Sequence, residues 1–129
     1  VLVAGADMEE PVADLVRGTL DGHVVLDRDI AERGRHPAVD LRRSASRSAP
    51  AAWSDVEASV AARARRLLAA HEEALPMIQS GLYQPGADPV LDEAVSRFAA
   101  LDAFLAEDTP RADAAAGFAR LAALFETPA

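Results

Sequence analysis

The sequence predicts a mainly α-helical protein with a small α/β portion at its N-terminal end. Up to about residue 50, short apolar runs alternate with segments of helical spacing, the pattern of strands and helices in turn. Beyond residue 54 the apolar residues recur with the period of amphipathic helices. Half of the 129 residues are hydrophobic but only 5% are aromatic, so we expect a core of alanine, leucine and valine. We therefore divide the chain into residues 1–50 and 51–129.

The first part is expected to begin with a buried strand at residues 1–5, "VLVAG". Asp7 and Glu10 have the spacing of a capping box, and the helical spacing that follows extends to Leu20. A turn is expected at residues 20–22, with Asp21 as a turn residue.

The next elements are short. "HVVL", residues 23–26, is expected to be a strand, and Asp27 can cap a brief helix for which Gly34 is the C′ residue. "AVDL", residues 38–41, is expected to be extended. The segment "SASRSAP", residues 44–50, is predicted to be a loop.

The second part is expected to be a helical bundle. Ser54 and Glu57 form a capping box, and Pro76 is expected to end the helix that they begin. Asp88 and Pro89 suit the N-cap and first position of a following helix or pair of helices. The last helix is predicted to begin at residues 109–110. The inward faces are predicted to be formed by Val56, Val60, Ala64, Leu67, Leu68, His71 and Leu75, then Leu91, Ala94, Val95, Phe98, Leu101, Phe104 and Leu105, then Phe118, Leu121, Leu124 and Phe125.

Composition excludes several classes of function. A net charge of −8 argues against binding to nucleic acid or to an anionic membrane surface. The chain has no cysteine, and its three histidines lack the spacing of a helical metal site, so no metal site is predicted. No apolar run approaches the ~18 residues of a membrane span. Every basic residue is arginine, and without lysine the chain cannot contain a phosphate-binding P-loop.

Several side chains could have either a structural or a functional role. Arg47 stands alone among small hydroxyl residues; its planar, permanently charged fork can reach a phosphate across an interface, although a solvated surface arginine is the alternative. Trp53 is expected to be a packing anchor and His71 a hydrogen-bonded core histidine. Tyr83, beside the loop at residues 84–88, suits either packing or a partner contact. Arg63, Arg65 and Arg66 are expected to form a solvated helix face.

Several stretches match a known family in order and spacing. They are "GADMEEPVAD", "LDGHVVLDRDIAERGRHPAVD", "SASRSAP", "LYQPGADPVLDEAV" and "AALDAFL". Over residues 1–106 the chain resembles the C-terminal part of flagellar and type III secretion export ATPases, relatives of the rotary F-type ATPase α and β subunits. The flagellar branch is favoured. The resemblance implies that residues 1–50 are the last strands of a RecA-like ATPase core and that residues 51–129 are a C-terminal helical domain.

The resemblance also implies a site. These ATPases are hexameric rings with nucleotide between neighbouring subunits, and the family's arginine finger falls on Arg47 of Ser44-Ala45-Ser46-Arg47. ATP and Mg²⁺ are expected in the full-length enzyme, with neither bound by this segment alone. Tyr83, Gln84, Gly86 and Asp88 are the residues expected to meet a coiled-coil stalk protein, and chaperone–cargo complexes are further expected partners. Rotary β subunits stack a tyrosine on adenine just after the finger. This sequence has no tyrosine near Ala58, so no adenine contact is assigned.

The function implied is ATP hydrolysis coupled to flagellar or type III protein export, in the cytoplasm and peripheral to the inner-membrane export apparatus. The segment itself is expected to be inactive because it lacks the P-loop. The alternative is a non-enzymatic helical module that binds a coiled-coil partner, which leaves the strand-rich first part unexplained. A true rotary subunit is disfavoured because "QPGADP", residues 84–89, stands where those proteins carry an acidic run.

Overall fold

A computed structural model describes residues 11–107 and 113–126 and places six helices and a two-stranded sheet in them. The predicted fold, mainly helical with a small α/β portion, is confirmed. The predicted strand at residues 1–5, the capping box of Asp7 and Glu10 and the helix start at 109–110 lie outside the described residues. The elements are α1 (Pro11–Thr19), β1 (Gly22–Leu26), α2 (Arg28–Glu32), β2 (Val39–Ser46), α3 (Ala49–Ala52), α4 (Asp55–Gln79), α5 (Pro89–Ala106) and α6 (Ala114–Glu126).

The sheet pairs β1 with β2 in antiparallel orientation and contains a large irregular bulge. His23 pairs with Ala45 and Val25 pairs with Asp40, so residues 41–44 of β2 stand opposite Val24 alone. A bulge of this kind interrupts the ladder of hydrogen bonds between the strands and increases their right-handed twist.

Two polar side chains hold the bulge in shape. The Asp40 carboxylate accepts hydrogen bonds from the backbone N–H groups of Arg42, at 2.8 Å, and Arg43, at 3.0 Å. The Ser44 hydroxyl donates to the Asp40 carbonyl oxygen at 2.5 Å and accepts from the Val25 N–H at 3.0 Å. Ser44 to Ser46 therefore belong to β2, and the prediction of a loop over all of residues 44–50 was wrong. Serines favour loops locally, but here β1 provides partners for the strand.

Helix α2 forms as its sequence predicts. The Asp27 carboxylate accepts from the N–H groups of Asp29 and Ile30 at 2.9 and 3.3 Å, which satisfies donors that a helix start leaves free. Gly34 has φ of +83°, the left-handed conformation that suits a C′ residue. Ile30 is buried.

The bundle core forms where α4, α5 and α6 pack together. Ala64, Leu67, Leu68, Ala94 and Leu101 form its buried centre. The partly buried residues around it are Leu41, Ala70, Phe98, Leu105, Leu121, Leu124 and Phe125. None of the helices in the described ranges has the length and apolar character to cross a membrane.

One predicted inward residue needs correction. Val56, in the first turn of α4, is 70% exposed because no described element covers that side of the turn. The predicted helix α1 is confirmed; within it Ala13 is buried and Leu15 is 71% exposed.

Pro76 does not end α4, contrary to the prediction. It lies in the last turn, where its missing N–H removes one bond, and its carbonyl still accepts from the Ser80 N–H at 3.1 Å. The helix ends instead at Gln79, and Gly81, with φ of +72°, is its C′ residue. There the Leu82 N–H donates to the Met77 carbonyl at 3.0 Å, closing a Schellman motif.

The α/β portion is attached to the bundle by arginines. Arg42, in the bulge, contacts Glu72 at 3.1 Å and Glu73 at 3.7 Å on α4. Arg35, which precedes β2, lies 3.5 Å from Asp102 on α5. The strand that ends beside Arg47 is thus held against two helices of the bundle.

Candidate functional site

Arg47 is the first residue after β2, and its side chain is exposed. Its backbone N–H donates to the Asp21 carbonyl oxygen at 2.9 Å. Its guanidinium makes no hydrogen bond or ion pair with any residue in 11–107 or 113–126. The structure therefore holds the backbone of Arg47 while leaving its charged fork available.

The Asp21 carboxylate fastens the residues on either side of Arg47. Its Oδ2 accepts from the Ser48 hydroxyl at 2.7 Å and from the Ser46 hydroxyl at 3.3 Å. These hydrogen bonds, above all the one from Ser48, lower the pKa of Asp21 below its ordinary value of 3.8. Asp21 is therefore ionised at neutral pH. We refer to Asp21, Ser46 and Ser48 as the Asp21 clasp.

Gly22 allows the two strands to approach closely beside this clasp. A Cβ atom at Gly22 would lie 2.3 Å from the Ala45 carbonyl oxygen and 2.9 Å from the Ser46 Cα. Only glycine fits such an approach without a shift of the backbone.

Sequence reasoning placed Asp21 in a turn and missed its contact with the serines. The turn itself is present, but the hydroxyl partners are 25 and 27 residues away along the chain. The only local signal was a group of serines around Arg47 without a neighbouring carboxylate.

The loop between α4 and α5 is held in shape by Asp92. The Tyr83 hydroxyl donates to Asp92 Oδ1 at 2.6 Å, and the Gly86 N–H donates to Oδ2 at 2.8 Å. The bond to Asp92 raises the pKa of Tyr83 above 10.0. Sequence reasoning did not single out Asp92, although an acid in the first turn of a helix is well placed to bond back to the preceding loop.

The predicted partner-contact residues divide into two groups. Tyr83 is half-buried, and Asp88 caps α5 by accepting from the N–H groups of Val90 and Leu91 at 2.8 and 3.3 Å. Both support the loop. Gln84 and Gly86 are exposed. No hydrogen bond or ion pair among the described residues joins this loop to Arg47, so the structure does not bring the two predicted sites together.

His71 is buried, as predicted, but it is not hydrogen-bonded as expected. Its ring stacks on Phe98 with centroids 3.6 Å apart, and within the described residues Nδ1 has no partner. Burial is the main cause that lowers the pKa of His71 below 6.5. The ring lines a cleft of about 320 Å³ together with Arg33, Arg35 and Asp102.

The remaining candidates are structural. Trp53 packs edge-on against Phe118 with centroids 5.4 Å apart, which confirms the packing anchor. Arg63 pairs with Glu93 and lies 4.6 Å from the Phe125 ring centre, so it is not simply solvated. Arg65 and Arg66 are exposed, as predicted. No group of three acidic or histidine side chains in the described ranges could hold a metal ion.

Two family models match separate ranges of the chain. Residues 53–123 match the model described as T3SS EscN ATPase C-terminal domain. Residues 1–46 match the model described as ATP synthase alpha/beta family, nucleotide-binding domain.

Curated relatives come from both export systems. A flagellum-specific ATP synthase of Caulobacter vibrioides is 44% identical over 112 residues, which are 87% of this chain and 25% of the relative. The SPI-2 type 3 secretion system ATPase of Salmonella typhimurium is 45% identical over 105 residues, 81% of this chain and 24% of the relative. The chain thus spans about a quarter of the length of these relatives. The two identities are nearly equal, so the preference for the flagellar branch stays a prediction.

Solved structures similar to this chain belong to the same family of ATPases. The assembled ATPase EscN of the enteropathogenic E. coli type III secretion system matches with a TM-score of 0.89 and 30% identity, over 96% of this chain and 30% of that one. EscN in complex with its central stalk EscO matches with a TM-score of 0.81, over 88% of this chain and 28% of that one. The chain therefore belongs to the family of the T3SS EscN ATPase C-terminal domain.

Proposed function

We propose that the full-length protein is an ATPase that couples ATP hydrolysis to flagellar or type III protein export, and that Arg47 is its arginine finger. The observation that carries this proposal is an exposed guanidinium, without an ion pair among the described residues, on a backbone fastened to Asp21. An arginine held by an acid of its own subunit would be unavailable to a neighbour. The names of the relatives as ATPases support the chemistry.

The finger acts in trans, between subunits of a hexameric ring. ATP supplies the phosphoryl group to be transferred, and Mg²⁺ neutralises part of its charge. Because this chain has no lysine, the P-loop that cradles the phosphates lies elsewhere in the full-length protein. The contribution of Arg47 is a permanently charged, planar donor that stabilises the negative charge developing in the transition state. The assembled EscN structure supports an oligomeric state.

We assign residues 1–50 to the end of a RecA-like core and residues 51–129 to a C-terminal helical domain. The two family matches, 1–46 and 53–123, support this division. The match to a nucleotide-binding domain also disfavours the alternative of a non-enzymatic interaction module.

The loop at residues 83–88 is assigned to a coiled-coil stalk partner. The exposed Gln84 lies on a loop that Asp92 stiffens, so binding would cost little additional ordering. The complex of EscN with its central stalk supports such a partner. Chaperone–cargo complexes and a cytoplasmic position beside the inner-membrane export apparatus belong to the same proposal.

The first prediction tests the finger in the full-length protein. Arg47→Ala is expected to lower kcat by about 10³-fold or more, as removal of arginine fingers does elsewhere, while ring assembly and nucleotide binding persist. Arg47→Lys should recover little, because an ammonium lacks the fork. The matched control is Arg65→Ala, which removes an exposed arginine of α4 and should leave turnover unchanged.

Mixed rings test whether the finger acts between subunits. Subunits with Arg47→Ala are mixed with subunits whose P-loop lysine is replaced, so that each kind is inactive alone. If the finger acts in trans, interfaces that join an intact P-loop to an intact Arg47 regain turnover. Wild-type turnover of Arg47→Ala rings, or no recovery in mixed rings, would refute the assignment.

A further inference from the structure

The three contacts made by Asp21 bracket Arg47 on both sides. The Ser46 and Ser48 hydroxyls donate to the Asp21 carboxylate, and the N–H of Arg47 itself donates to the Asp21 carbonyl. Residues before, at and after the finger are thus attached to one residue of the preceding turn. Small residues such as serine would otherwise leave this segment free to adopt several backbone conformations.

The clasp orients the arginine without consuming its charge. The carboxylate accepts from two neutral hydroxyls, and the charge of the nearby Arg47 guanidinium contributes least to its lowered pKa. Between the carboxylate and the guanidinium there is no hydrogen bond or ion pair. A direct ion pair would hold the side chain but would occupy the donors needed by a phosphate. Hydrogen bonds to Ser46 and Ser48 restrict the direction of the Arg47 Cα–Cβ bond, while the guanidinium N–H groups remain available to a phosphate.

The geometry of the neighbouring strand reinforces this arrangement. The absence of a side chain at Gly22 brings β1 against Ala45 and Ser46, so the turn that carries Asp21 approaches the end of β2. The Ser46 hydroxyl also accepts from the Ala49 N–H at 3.2 Å, which links the clasp to the start of α3. The segment that carries the finger is therefore fixed at both ends.

We infer that Asp21 is a positioning residue for the reaction, which holds the backbone of Arg47 so that its guanidinium is directed across the subunit interface before nucleotide arrives. This inference rests on the proposed function of Arg47. A positioned group strengthens transition-state binding without strengthening ground-state binding, so its loss lowers kcat more than it raises KM. Misplacement of a catalytic group by about 1 Å can cost about 100-fold in rate.

The test uses rings of the full-length protein with Asp21→Ala, Arg47→Ala and the double variant. Asp21→Ala is expected to lower kcat by about 10- to 100-fold while KM for ATP changes little. In the Arg47→Ala background, Asp21→Ala should have no further effect on kcat, because there is no finger left to position. Asp21→Asn, which keeps an oxygen acceptor, should recover most of the turnover. Asp14→Ala, the loss of an exposed acid that pairs with Arg17, is the matched control.

Ser48→Ala provides a second variant in case Asp21→Ala prevents ring assembly. It removes the 2.7 Å contact to Asp21 together with the 3.4 Å contact between the Ser46 and Ser48 hydroxyls, and should lower kcat severalfold, again only when Arg47 is present. Equal turnover of wild type and both clasp variants, or an equal further loss in the Arg47→Ala background, overturns the positioning role while the finger stands. Wild-type turnover of Arg47→Ala instead overturns the finger itself, and the inference with it.

Discussion

The surroundings of the buried His71 imidazole could be learned only from the folded protein. Helical spacing placed it correctly on the inner face of α4. Its stacking on Phe98 and the lack of a partner for Nδ1 among the described residues depend on how α4 meets α5. Such a ring is more stable neutral, because burial penalises its charged form.

The pH dependence of stability follows from this environment. Burial first, and then the charge of Arg33, lower the pKa of His71 in the folded chain, whereas Glu72 and Asp102 act in the opposite direction. The unfolded chain therefore binds more protons below about pH 6.5, so the free energy of unfolding is largest above that pH and falls as the pH drops through it.

The pH dependence of the free energy of unfolding can be measured by urea unfolding between about pH 7.5 and 5.5, followed by the fluorescence of Trp53. His71→Phe should remove most of the pH dependence, because an aromatic ring that can stack on Phe98 remains but no proton is taken up. His36→Gln, at an exposed position, is the control. If the free energy of unfolding of His71→Phe depended on pH as strongly as that of the wild type, other groups would be responsible for the dependence.

At the scale of elements, caps and glycines decide where helices begin and end. The predicted N-caps Asp27, Ser54 and Asp88 are all present. The prediction from Pro76 failed because a proline in the last turn of a helix interrupts few bonds, and Gly81 provided the actual end.

Asp88 gives the prediction at this scale. Asp88→Ala leaves the N–H groups of Val90 and Leu91 without their acceptor and should lower the free energy of unfolding by about 0.5–2 kcal/mol. Asp88→Asn keeps an acceptor oxygen and should be nearly neutral. The same urea titration measures both variants. If the two were equally destabilised, the negative charge and not the cap would explain the effect.

At the scale of the whole molecule, the α/β portion packs on the bundle through Leu41, and two arginines of different exposure add polar contacts between them. The side chain of Arg35 is 10% exposed, lies against Asp102 and donates to the Val39 carbonyl at 3.0 Å. That of Arg42 is 47% exposed and contacts Glu72 and Glu73. Because solvent screens exposed pairs, the less exposed arginine should contribute more to the attachment.

Two matched substitutions test that difference. Arg35→Ala should destabilise the chain by about 1–3 kcal/mol, since it removes a hydrogen bond from a charged group and a sheltered ion pair. Arg42→Ala should cost less than about 1 kcal/mol. Urea unfolding of the two variants measures both. Equal losses would contradict the dependence on exposure, and a larger loss for Arg42→Ala would make the bulge the main attachment.

Much of the candidate site could be anticipated and part of it could not. The motif around Arg47 and its place after a strand were readable from the chain, and so were the loop and cap at residues 83–88. Asp21 and Asp92 were missed as structural partners of those segments. A carboxylate that bonds a hydroxyl from a distant segment has the same local sequence as one that simply faces water.

The sequence by itself determined the order of most elements, the N-caps Asp27, Ser54 and Asp88, most of the inner faces of α4 and α5, and the family of the chain. These depend on residues a few positions apart, or on motifs read in order along the chain. The tertiary structure alone decided that β2 extends through Ser46, that His71 Nδ1 has no hydrogen-bond partner within residues 11–107 and 113–126, and that Asp21 fastens the segment around Arg47. Each of these depends on which segments, distant along the chain, are brought together when the core is buried.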